Sequence, residues 1–384
     1  GTVVATRSDG RRYTRPVTGS AGSQTRPATY GFLRPSPQVE TRAGVRQNIG
    51  PDRIHSVTVQ ESFDMRVGFI GLGNIGGKLA GSLLRNNFDL MVRDLDRAAA
   101  QPFIDAGATF ADSPKQMAEL CDVVITCLPS PSASSAVMEA EDGVLAGLSE
   151  GKIWAEMSTT DEAEVKRLGA LVAAKGAEPI DCPVSGGCHR AATGNIAIFA
   201  GCSREAFERH LPVMTALGRR VLHTGPLGSA SVLKVVTNYL ATANLLSVCE
   251  ALVTSKAAGM DLATTYEAIR ISSGNSFVHE TESQVILSGS RDINFTMDLV
   301  RKDISLFQAV ADRNAVQLEL SPLFVKIFAD AEEKYGPREW SPNVIRRLED
   351  ATGLSILADG FPTEVTDDEP EEPGYEVIPN GERR

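Results

Sequence analysis

The sequence has 384 residues, 42% of them hydrophobic and 23% charged, with a formal net charge of −11. This length and composition are those of an ordinary soluble globular protein with two or three domains. The negative charge argues against nucleic acid as the main partner, because phosphate binding needs a basic surface. The most apolar stretch, 232–253, is interrupted by Lys234, Asn238 and Glu250, so no membrane span is expected.

The two ends of the chain differ from its middle in composition. Residues 1–64 contain nine Arg, no Lys and five acids, and they are rich in Ser, Thr and Pro. They are predicted to be a basic, disordered extension, typical of an organelle transit peptide or of sequence unrelated to the fold. Residues 359–384 contain nine acids and two Arg, and this acidic tail is expected to be disordered or loosely attached.

The cysteine and histidine patterns predict a reduced protein without a metal. The six cysteines form no CxxC pair, and a chain of this length needs no disulfides, so free thiols are expected. We therefore expect a cytoplasmic location, with organelle import through the Arg-rich extension as the alternative. The five histidines are scattered without ligand spacing, so no metal site is predicted.

From Met65 onward, short apolar runs alternate with segments of helical periodicity. This alternation predicts an α/β fold with a largely parallel, doubly wound sheet over residues 65–226. The predicted strands are 66–70, 89–92, 122–128, 152–157, 177–181 and 197–201. The predicted helices are 74–86, 96–106, 114–120, 131–138, 160–175 and 203–216.

The pattern changes near Gly225-Pro226. The roughly 30 residues between Gly228 and Gly259 contain neither Pro nor Gly, which predicts one helix of about 45 Å. This helix is apolar nearly all the way round and is expected to be buried along most of its length, partly against a partner subunit. An all-helical domain is therefore predicted over 227–358, with further helices at 261–271, 275–288, 296–313, 321–334 and after Ser341-Pro342.

The segment 67–85, VGFIGLGNIGGKLAGSLLR, places three glycines directly after a predicted strand and at the start of a helix. Gly71 permits the tight turn, Gly73 lets a pyrophosphate approach the backbone, and Gly76 lets helix and strand pack closely. The helix N-terminus offers free N–H groups to the phosphates. With an acid 23 residues after Gly71, the pattern predicts a Rossmann-type dinucleotide site.

That acid is Asp94, at the end of the second predicted strand. A carboxylate there accepts hydrogen bonds from the adenosine ribose and repels a 2′-phosphate, so NAD is expected as the cofactor rather than NADP. Arg93 and Arg97 leave NADP open, because either guanidinium could reach a phosphate. The other alternative is that Asp94 is only a solvated turn residue.

Lys234 and Asn238 lie four residues apart near the start of the long helix, which places both on one face. A lysine on a helix is usually a surface charge, but the residues at 232, 233, 235 and 236 are all apolar. A lysine near a helix N-terminus and facing a cationic nicotinamide loses part of its proton affinity. Lys234 is therefore a candidate general base in alcohol oxidation and general acid in carbonyl reduction.

The stretch 181–190, DCPVSGGCHR, has a serine and two glycines where a strand should end. The glycines could simply form a turn. A backbone that must approach a small anion would explain the glycines and Ser185 together. These residues alone leave both interpretations open.

Six short motifs now occur in order: GFIGLGNIG (68–76), CLP (127–129), STT (158–160), PVSGG (183–187), KVVTN (234–238) and RKD (301–303). Together they resemble the β-hydroxyacid dehydrogenases, the group within the 6-phosphogluconate dehydrogenase superfamily that contains 3-hydroxyisobutyrate dehydrogenase. The resemblance implies a Rossmann domain and a helical domain built on a long interdomain helix. It also implies a small hydroxy-acid or semialdehyde substrate, and a homodimer or homotetramer with the site between domains.

The resemblance assigns roles to residues of this chain. Lys234 corresponds to the catalytic lysine, and Asn238 to the asparagine that helps hold the substrate and the lysine. Ser185, Gly186 and Gly187 correspond to the loop that binds the substrate carboxylate, with Ser158 as a further substrate contact. The implied cofactor-binding residues are Gly71, Leu72, Gly73, Asn74, Ile75, Gly76, Asp94, Leu128, Pro129, Thr159 and Lys302.

The chain departs from the family pattern at positions that bear on the substrate. Arg190 stands where the family usually has glycine, and Asn195 where it usually has threonine. Arg190 is predicted to contact a second anionic group of the substrate; alternatively, its side chain turns outward and pairs with a surface acid. Ala133 replaces the Asn of 3-hydroxyisobutyrate enzymes, and Ala241 replaces the Glu of the phosphogluconate enzymes.

The function expected from these residues is oxidation of a small 3-hydroxy acid to its semialdehyde by NAD, or the reverse reaction. An NADPH-linked aldehyde-acid reductase is the nearest alternative, and Asp94 distinguishes the two. A non-catalytic dinucleotide-binding module is a further alternative. The joint presence of Lys234, Asn238 and the Ser185–Gly187 loop argues against it.

Overall fold

The structure is a computed structural model, and it describes residues 3–6, 12–15 and 65–380. In the basic extension, strands β1 (Val3–Thr6) and β2 (Arg12–Arg15) form an antiparallel pair by themselves. The prediction of a disordered extension over 1–64 otherwise falls outside the described residues.

The elements that follow Met65 alternate between strand and helix up to α9. The strands are β3 (Arg66–Ile70), β4 (Asp89–Arg93), β5 (Thr109–Phe110), β6 (Val123–Thr126), β7 (Ile153–Glu156), β8 (Glu178–Asp181), β9 (Val184–Ser185), β10 (Ala197–Gly201), β11 (Arg220–Gly225) and β12 (Tyr375–Glu376). The helices up to α9 are α1 (Gly76–Arg85), α2 (Arg97–Asp105), α3 (Pro114–Leu120), α4 (Pro131–Glu139), α5 (Val144–Gly147), α6 (Glu162–Ala173), α7 (Gly187–Thr193), α8 (Arg204–Leu217) and α9 (Ser229–Ala257). The later helices are α10 (Leu262–Arg270), α11 (Phe277–Ser288), α12 (Met297–Arg313), α13 (Leu320–Tyr335) and, after a 3-10 turn at Ser341–Ile345, α14 (Arg346–Thr352).

Six parallel strands form the centre of the sheet in the order β5-β4-β3-β6-β7-β8. This is the strand order of a dinucleotide-binding Rossmann sheet, in which the order reverses between the first and fourth strands. The reversal lies here between β3 and β6. The predicted doubly wound parallel sheet is therefore confirmed, and ligands of such sheets bind at the carboxyl ends of the strands beside this reversal.

The sheet continues past β8 with strands that run the other way. β10 pairs antiparallel with β8 and with the short β9, while β10, β11 and β12 run parallel to one another. β12 comes from the acidic tail. The expectation that residues 359–384 are loosely attached is thus wrong for their described part, because Tyr375–Glu376 adds an edge strand to the sheet.

Apolar side chains cover both faces of the sheet. Val123 and Ile125 of β6 belong to one buried cluster and Val124 to another, as expected when successive side chains of a strand point to opposite faces. A third cluster, which includes Leu252 of α9 and Phe328 of α13, fills the helical part of the chain.

The long helix α9 matches its predicted bounds, and part of its surface is exposed in the single chain. Eleven of its 29 residues are buried, while Leu233 and Leu240 are exposed, the latter by 55%. By length and composition alone α9 could span a bilayer. In this structure it packs against the sheet and against α10, α11 and α12, as a core helix does.

Candidate active site

The loop after β3, Gly71–Gly76, is shaped by close backbone packing on one side and open space on the other. Gly71 has a φ of +97°, and a Cβ on it would lie 2.3 Å from the carbonyl oxygen of Cys127. A Cβ on Gly76 would lie 2.0 Å from the carbonyl oxygen of Gly71, whereas one on Gly73 would meet nothing within 4 Å. The free space over Gly73 and the N-terminus of α1 beside it fit a pyrophosphate.

Two other predicted residues of this loop, Asn74 and Ile75, contact the rest of the chain in different ways. Asn74 donates from Nδ2 to the backbone oxygen of Asn294, 3.3 Å away, and so connects the glycine loop to the helical part. Ile75 is half-buried against the apolar cluster on one face of the sheet. Ile75 therefore anchors the loop on the apolar core, and Asn74 ties its exposed side to the 294 backbone.

Asp94 lies at the end of β4 and is fixed against the glycine loop. Its Oδ2 accepts a hydrogen bond of 2.7 Å from the backbone N–H of Leu72, and its Oδ1 accepts one of 2.9 Å from the N–H of Asp96. A carboxylate held beside the loop in this way fits the ribose of an adenosine bound there.

The two arginines that flank Asp94 are engaged elsewhere. Arg93 donates from Nη1 to the carbonyl oxygens of Ala111 and Asp112, at 2.9 and 2.6 Å. The guanidinium of Arg97 lies 4.3 Å from the ring centroid of Phe110. Asp94 is therefore the charged group of this trio that lies on the glycine loop.

Ser158 connects two of the neighbouring strand ends. Its Oγ accepts a 2.7 Å hydrogen bond from the N–H of Leu128, and its own N–H donates to Oε1 of Glu156 at 2.9 Å. Ser158 is only 3% exposed, so its hydroxyl holds the loop after β6. Leu128 is half-buried there, and the next residue, Pro129, is exposed.

Lys234 lies in the second turn of α9 and is 8% exposed. Its Nζ donates a 2.7 Å hydrogen bond to Oδ1 of Asn238, so the two predicted residues do share one face of the helix. Nδ2 of Asn238 in turn donates to Oδ2 of Asp303 at 2.6 Å. Asp303 belongs to α12, so the lysine is held by a side-chain connection between two helices.

The connection continues from Asp303 to the cofactor side. Nζ of Lys302 lies 3.0 Å from Oδ1 of Asp303 and donates to the carbonyl oxygen of Thr159 at 2.8 Å. Thr159 follows Ser158, which holds the loop at Leu128. A continuous chain of contacts therefore joins Lys234 to the loop after β6.

Burial sets the protonation of Lys234. Loss of water around the ammonium lowers the pKa of Lys234 from its ordinary value of 10.5 to about 8, although the carboxylate of Asp303 opposes this shift. Lys302 adds to the lowering through charge repulsion. A lysine with a pKa near neutrality can both accept and return a proton at physiological pH.

A buried acid fixes the start of α9 and hence the position of Lys234. Asp181, the last residue of β8, is fully buried. Its Oδ1 accepts from the N–H of Gly228 at 2.9 Å and its Oδ2 from the N–H of Ser231 at 2.7 Å. Desolvation raises the pKa of this carboxyl against the effect of these hydrogen bonds.

The Ser185–Gly187 loop joins β9, which ends at Ser185, to α7, which begins at Gly187. Gly186 and Gly187 have φ values of +133° and +86°, a region that residues with a Cβ rarely adopt. Ser185 pairs with Ala197 of β10, the strand that α9 packs against. The backbone conformation by itself therefore requires glycine at both positions. The loop begins beside β10, the strand that α9 contacts.

The side chain of Arg190 contacts acids of the C-terminal tail, so the prediction that it contacts a second anionic group of the substrate stays a prediction. Its Nη2 lies 3.5 Å from Oε1 of Glu369 and its Nε lies 3.9 Å from Oδ1 of Asp367. Its guanidinium also lies 4.9 Å from the ring centroid of Phe277. In the structure Arg190 pairs with acids, as in the alternative interpretation, and the acidic tail supplies both carboxylates.

Sequence reasoning missed three buried acids that organise the site, namely Glu156, Asp181 and Asp303. Asp303 stands next to Lys302 in the RKD motif, and Asp181 ends a predicted strand, so polar residues at these positions were a signal. Which groups they contact depends on the fold. Among the described residues, no three His, Cys, Asp or Glu side chains form a group that could hold a metal ion.

Comparison with known proteins places this arrangement in a family. Residues 66–225 match the NAD-binding domain of 6-phosphogluconate dehydrogenase, and residues 228–348 match the model described as NAD-binding of NADP-dependent 3-hydroxyisobutyrate dehydrogenase. The 2-(hydroxymethyl)glutarate dehydrogenase of Eubacterium barkeri is 31% identical over 293 residues, 76% of this chain and 97% of that protein. The chain belongs to the β-hydroxyacid dehydrogenase family. Its cofactor is a nicotinamide dinucleotide, and it is an oxidoreductase.

Two further proteins are similar to this β-hydroxyacid dehydrogenase. The 3-sulfolactaldehyde reductase of Escherichia coli is 30% identical over 295 residues, 75% of this chain and 97% of that protein. The crystal structure of 3-hydroxyisobutyrate dehydrogenase from Salmonella typhimurium has a TM-score of 0.69 at 27% identity, covering 74% of this chain and 100% of that one. The resemblance inferred from the six motifs is confirmed.

Proposed function

We propose that this β-hydroxyacid dehydrogenase interconverts a small 3-hydroxy acid and its semialdehyde with NAD, and that Lys234 transfers the hydroxyl proton. The observation that carries the proposal is the buried Lys234, held through Asn238 to Asp303 on a second helix. A dinucleotide-binding module without catalysis has no use for a buried proton-transfer group with a lowered pKa. Two relatives are named for 2-(hydroxymethyl)glutarate and 3-sulfolactaldehyde, a hydroxymethyl acid and an aldehyde, which supports this substrate class.

The Ser185–Gly187 loop is the proposed site of the substrate carboxylate. The positive φ of Gly186 and Gly187 turns the backbone at the end of β9, and consecutive N–H groups in such turns form small concavities that accept anions. Hydrogen bonds between the carboxylate and these N–H groups would orient the substrate, so that the carbinol faces Lys234.

Lys234 handles the proton in both directions. In oxidation its neutral amine accepts the proton of the substrate hydroxyl, and in reduction its ammonium returns a proton to the carbonyl oxygen. The bound nicotinamide supplies the complementary chemistry, which is acceptance or donation of a hydride at the carbinol carbon. Oδ1 of Asn238 accepts a hydrogen bond from Nζ of Lys234 and so restricts the direction in which the amine can point.

NAD is the proposed cofactor because of the charges beside the glycine loop. The carboxylate of Asp94 is held on Leu72, where it would repel a 2′-phosphate. Arg93 and Arg97, the two cations that could offset this repulsion, contact the 110–112 segment instead. This favours NAD over the NADPH-linked reductase that was the alternative.

The experiment that tests the function is a substrate panel. Small 3-hydroxy acids of different chain length and branching are assayed with NAD and NADP in oxidation, and their semialdehydes with NADH and NADPH in reduction. We expect turnover of at least one pair, with a higher kcat/KM for NAD than for NADP. Binding of NADH without turnover of any member would contradict the proposal and favour the non-catalytic module.

Location and assembly are proposals of the same kind. The six cysteines are all free, which supports a reducing compartment and hence the cytoplasm; fractionation of cells tests this.

The exposed Leu233 and Leu240 of α9 support a homodimer or homotetramer that covers this helix. Light scattering of the purified protein is expected to give the molar mass of two or four chains, and the mass of a monomer would contradict the proposed assembly.

A further inference from the structure

The acidic tail contains a segment, 366–377, that runs along the Rossmann part of the chain. We call this segment the strap. It lies beyond residues 66–225 and 228–348, the two parts that match the family models. It ends in β12, which pairs in parallel with β11 at the edge of the sheet.

The strap is attached by charge pairing. Its carboxylates contact arginines that lie far apart in the sequence but along one side of the Rossmann part. The pairs are Asp367 with Arg190, Glu369 with Arg190, Arg219 and Arg220, Glu371 with Arg85, Glu372 with Arg219, and Glu376 with Arg204.

Asp367 is the strap residue with the most buried contacts to α7. Its side chain is 3% exposed. Its Oδ2 accepts a hydrogen bond from the hydroxyl of Thr193, the last residue of α7, and one of 2.7 Å from Nδ2 of Asn195. Arg190 of the same helix is the cation nearest to its Oδ1. One carboxylate thus contacts α7 and the residues that end it.

Glu369 adds a second attachment at the same place. Its backbone oxygen accepts a 2.8 Å hydrogen bond from Nδ2 of Asn195, and its carboxylate accepts from Nη2 of Arg220 at 2.9 Å. Arg190 and Arg219 also lie within 4 Å of this carboxylate. Three guanidinium groups gathered on this side of the fold need such a counter-charge, since like charges this close repel one another.

Helix α7 is held by contacts with α1 on one side and with the strap on the other. It has seven residues, and helices this short are not stable by themselves in water. It begins at Gly187, the last residue of the Ser185–Gly187 loop, so any shift of α7 moves the loop. Arg190 and Asn195, where the chain departs from the family pattern, are both residues that the strap contacts.

We propose that the strap, acting through the contacts of Asp367 with Thr193, Asn195 and Arg190, positions α7 and thereby sets the affinity of the Ser185–Gly187 loop for substrate. The inference rests on the proposed function, in which that loop binds the substrate carboxylate. Asp367 is a positioning residue, because its contacts are with α7 and its end rather than with substrate. Weakening the contacts of Asp367 with α7 should weaken substrate binding, while the cofactor loop at Gly71–Gly76 and the proton transfer at Lys234 stay unchanged.

The first test is Asp367→Asn in the full-length protein, with Asp368→Asn as the matched control. The two changes are chemically identical and adjacent, but Asp368 is exposed. For Asp367→Asn we expect the KM of the hydroxy acid to rise by about 3- to 30-fold, the range for residues that act on a site without touching its ligand. The kcat and the KM for NAD are expected to stay within about twofold of wild type, and Asp368→Asn should change nothing.

Two outcomes would overturn the proposal. The first is an unchanged substrate KM in Asp367→Asn. The second is a parallel loss of substrate affinity, kcat and NAD affinity, because that is the result of general destabilisation. If Asp367→Asn does not fold, Thr193→Val carries the same test, since it removes one donor to Asp367 without changing the size of the side chain.

Hydrogen exchange separates this inference from the proposed function. Backbone amides of 185–195 should exchange faster in Asp367→Asn than in Asp368→Asn, with no substrate present, while those of β3 and β4 are unchanged. Equal exchange in the two variants would refute the proposal that the strap positions α7, even if the enzyme is active. If wild type turns over no hydroxy acid, the proposed function fails, and the exchange result still decides whether the strap holds the loop.

Discussion

Lys234 of α9 and Asp303 of α12 are joined by the side-chain amide of Asn238, which accepts from the lysine at 2.7 Å and donates to the aspartate at 2.6 Å. The amide transmits orientation but carries no charge, so the lysine has an acid in its surroundings without forming a direct ion pair with it. Because Lys234 is 8% exposed, desolvation outweighs this distant carboxylate, and the pKa of Lys234 falls to about 8.

The pH dependence of the reaction follows from this pKa. In oxidation Lys234 must be neutral to accept a proton, so kcat/KM for the hydroxy acid should rise with pH through a midpoint near 8 and then level off. In reduction the lysine must be protonated, so kcat/KM for the semialdehyde should fall through the same midpoint. Profiles that are flat between about pH 7 and pH 9 in both directions would contradict the role of Lys234.

Removing the charge of Asp303 should move that midpoint. The carboxylate raises the pKa of Lys234 and Lys302 lowers it, so Asp303→Asn leaves only the lowering influences. The oxidation profile is expected to shift to lower pH, and kcat to fall because Asn238 loses a charged acceptor. Asp312→Asn, an exposed position on the same helix, should leave the profile where it is. An unshifted midpoint in Asp303→Asn would mean that Asp303 does not act on the lysine.

Asp94 is expected to set the choice of dinucleotide. Asp94→Asn removes a unit charge that would lie close to a 2′-phosphate, and about 1 kcal/mol of relieved repulsion corresponds to about a fivefold gain in kcat/KM for NADP relative to NAD. Asp89→Asn, at the exposed opposite end of β4, is the control. The assignment is wrong if wild type already prefers NADP, or if both variants change the ratio equally.

The sequence predicted the elements with strong periodicity and the motifs carried on them. The central strands β3, β4, β6, β7 and β8 were expected because short, mostly apolar runs alternate with segments of helical periodicity, and α9 because it is a long apolar run without Pro or Gly. The two-residue strands β5 and β9 were not predicted, since two residues show no periodicity, and their positions come from the strands they pair with. Helix α7 and strand β11 were not predicted either.

The acidic tail shows where sequence reasoning fails for a physical reason. Its composition, rich in acids and poor in apolar residues, predicts a segment that cannot form a core. Its partners are arginines at 85, 190, 204, 219 and 220, which only the fold brings to one side. The pairing of Arg190 could not be predicted for the same reason, because its acid partners lie some 180 residues further on in the chain.

The chemical role of Lys234 is the centre of this account, and Lys234→Ala tests it most directly. Lys256→Ala, an exposed lysine on the same helix, is the matched control. The expected result is a loss of kcat of at least about 100-fold, the lower end for a general acid–base residue, with NADH affinity by fluorescence titration unchanged because the glycine loop is untouched. Near-normal turnover in Lys234→Ala, together with normal NADH binding, would contradict the account.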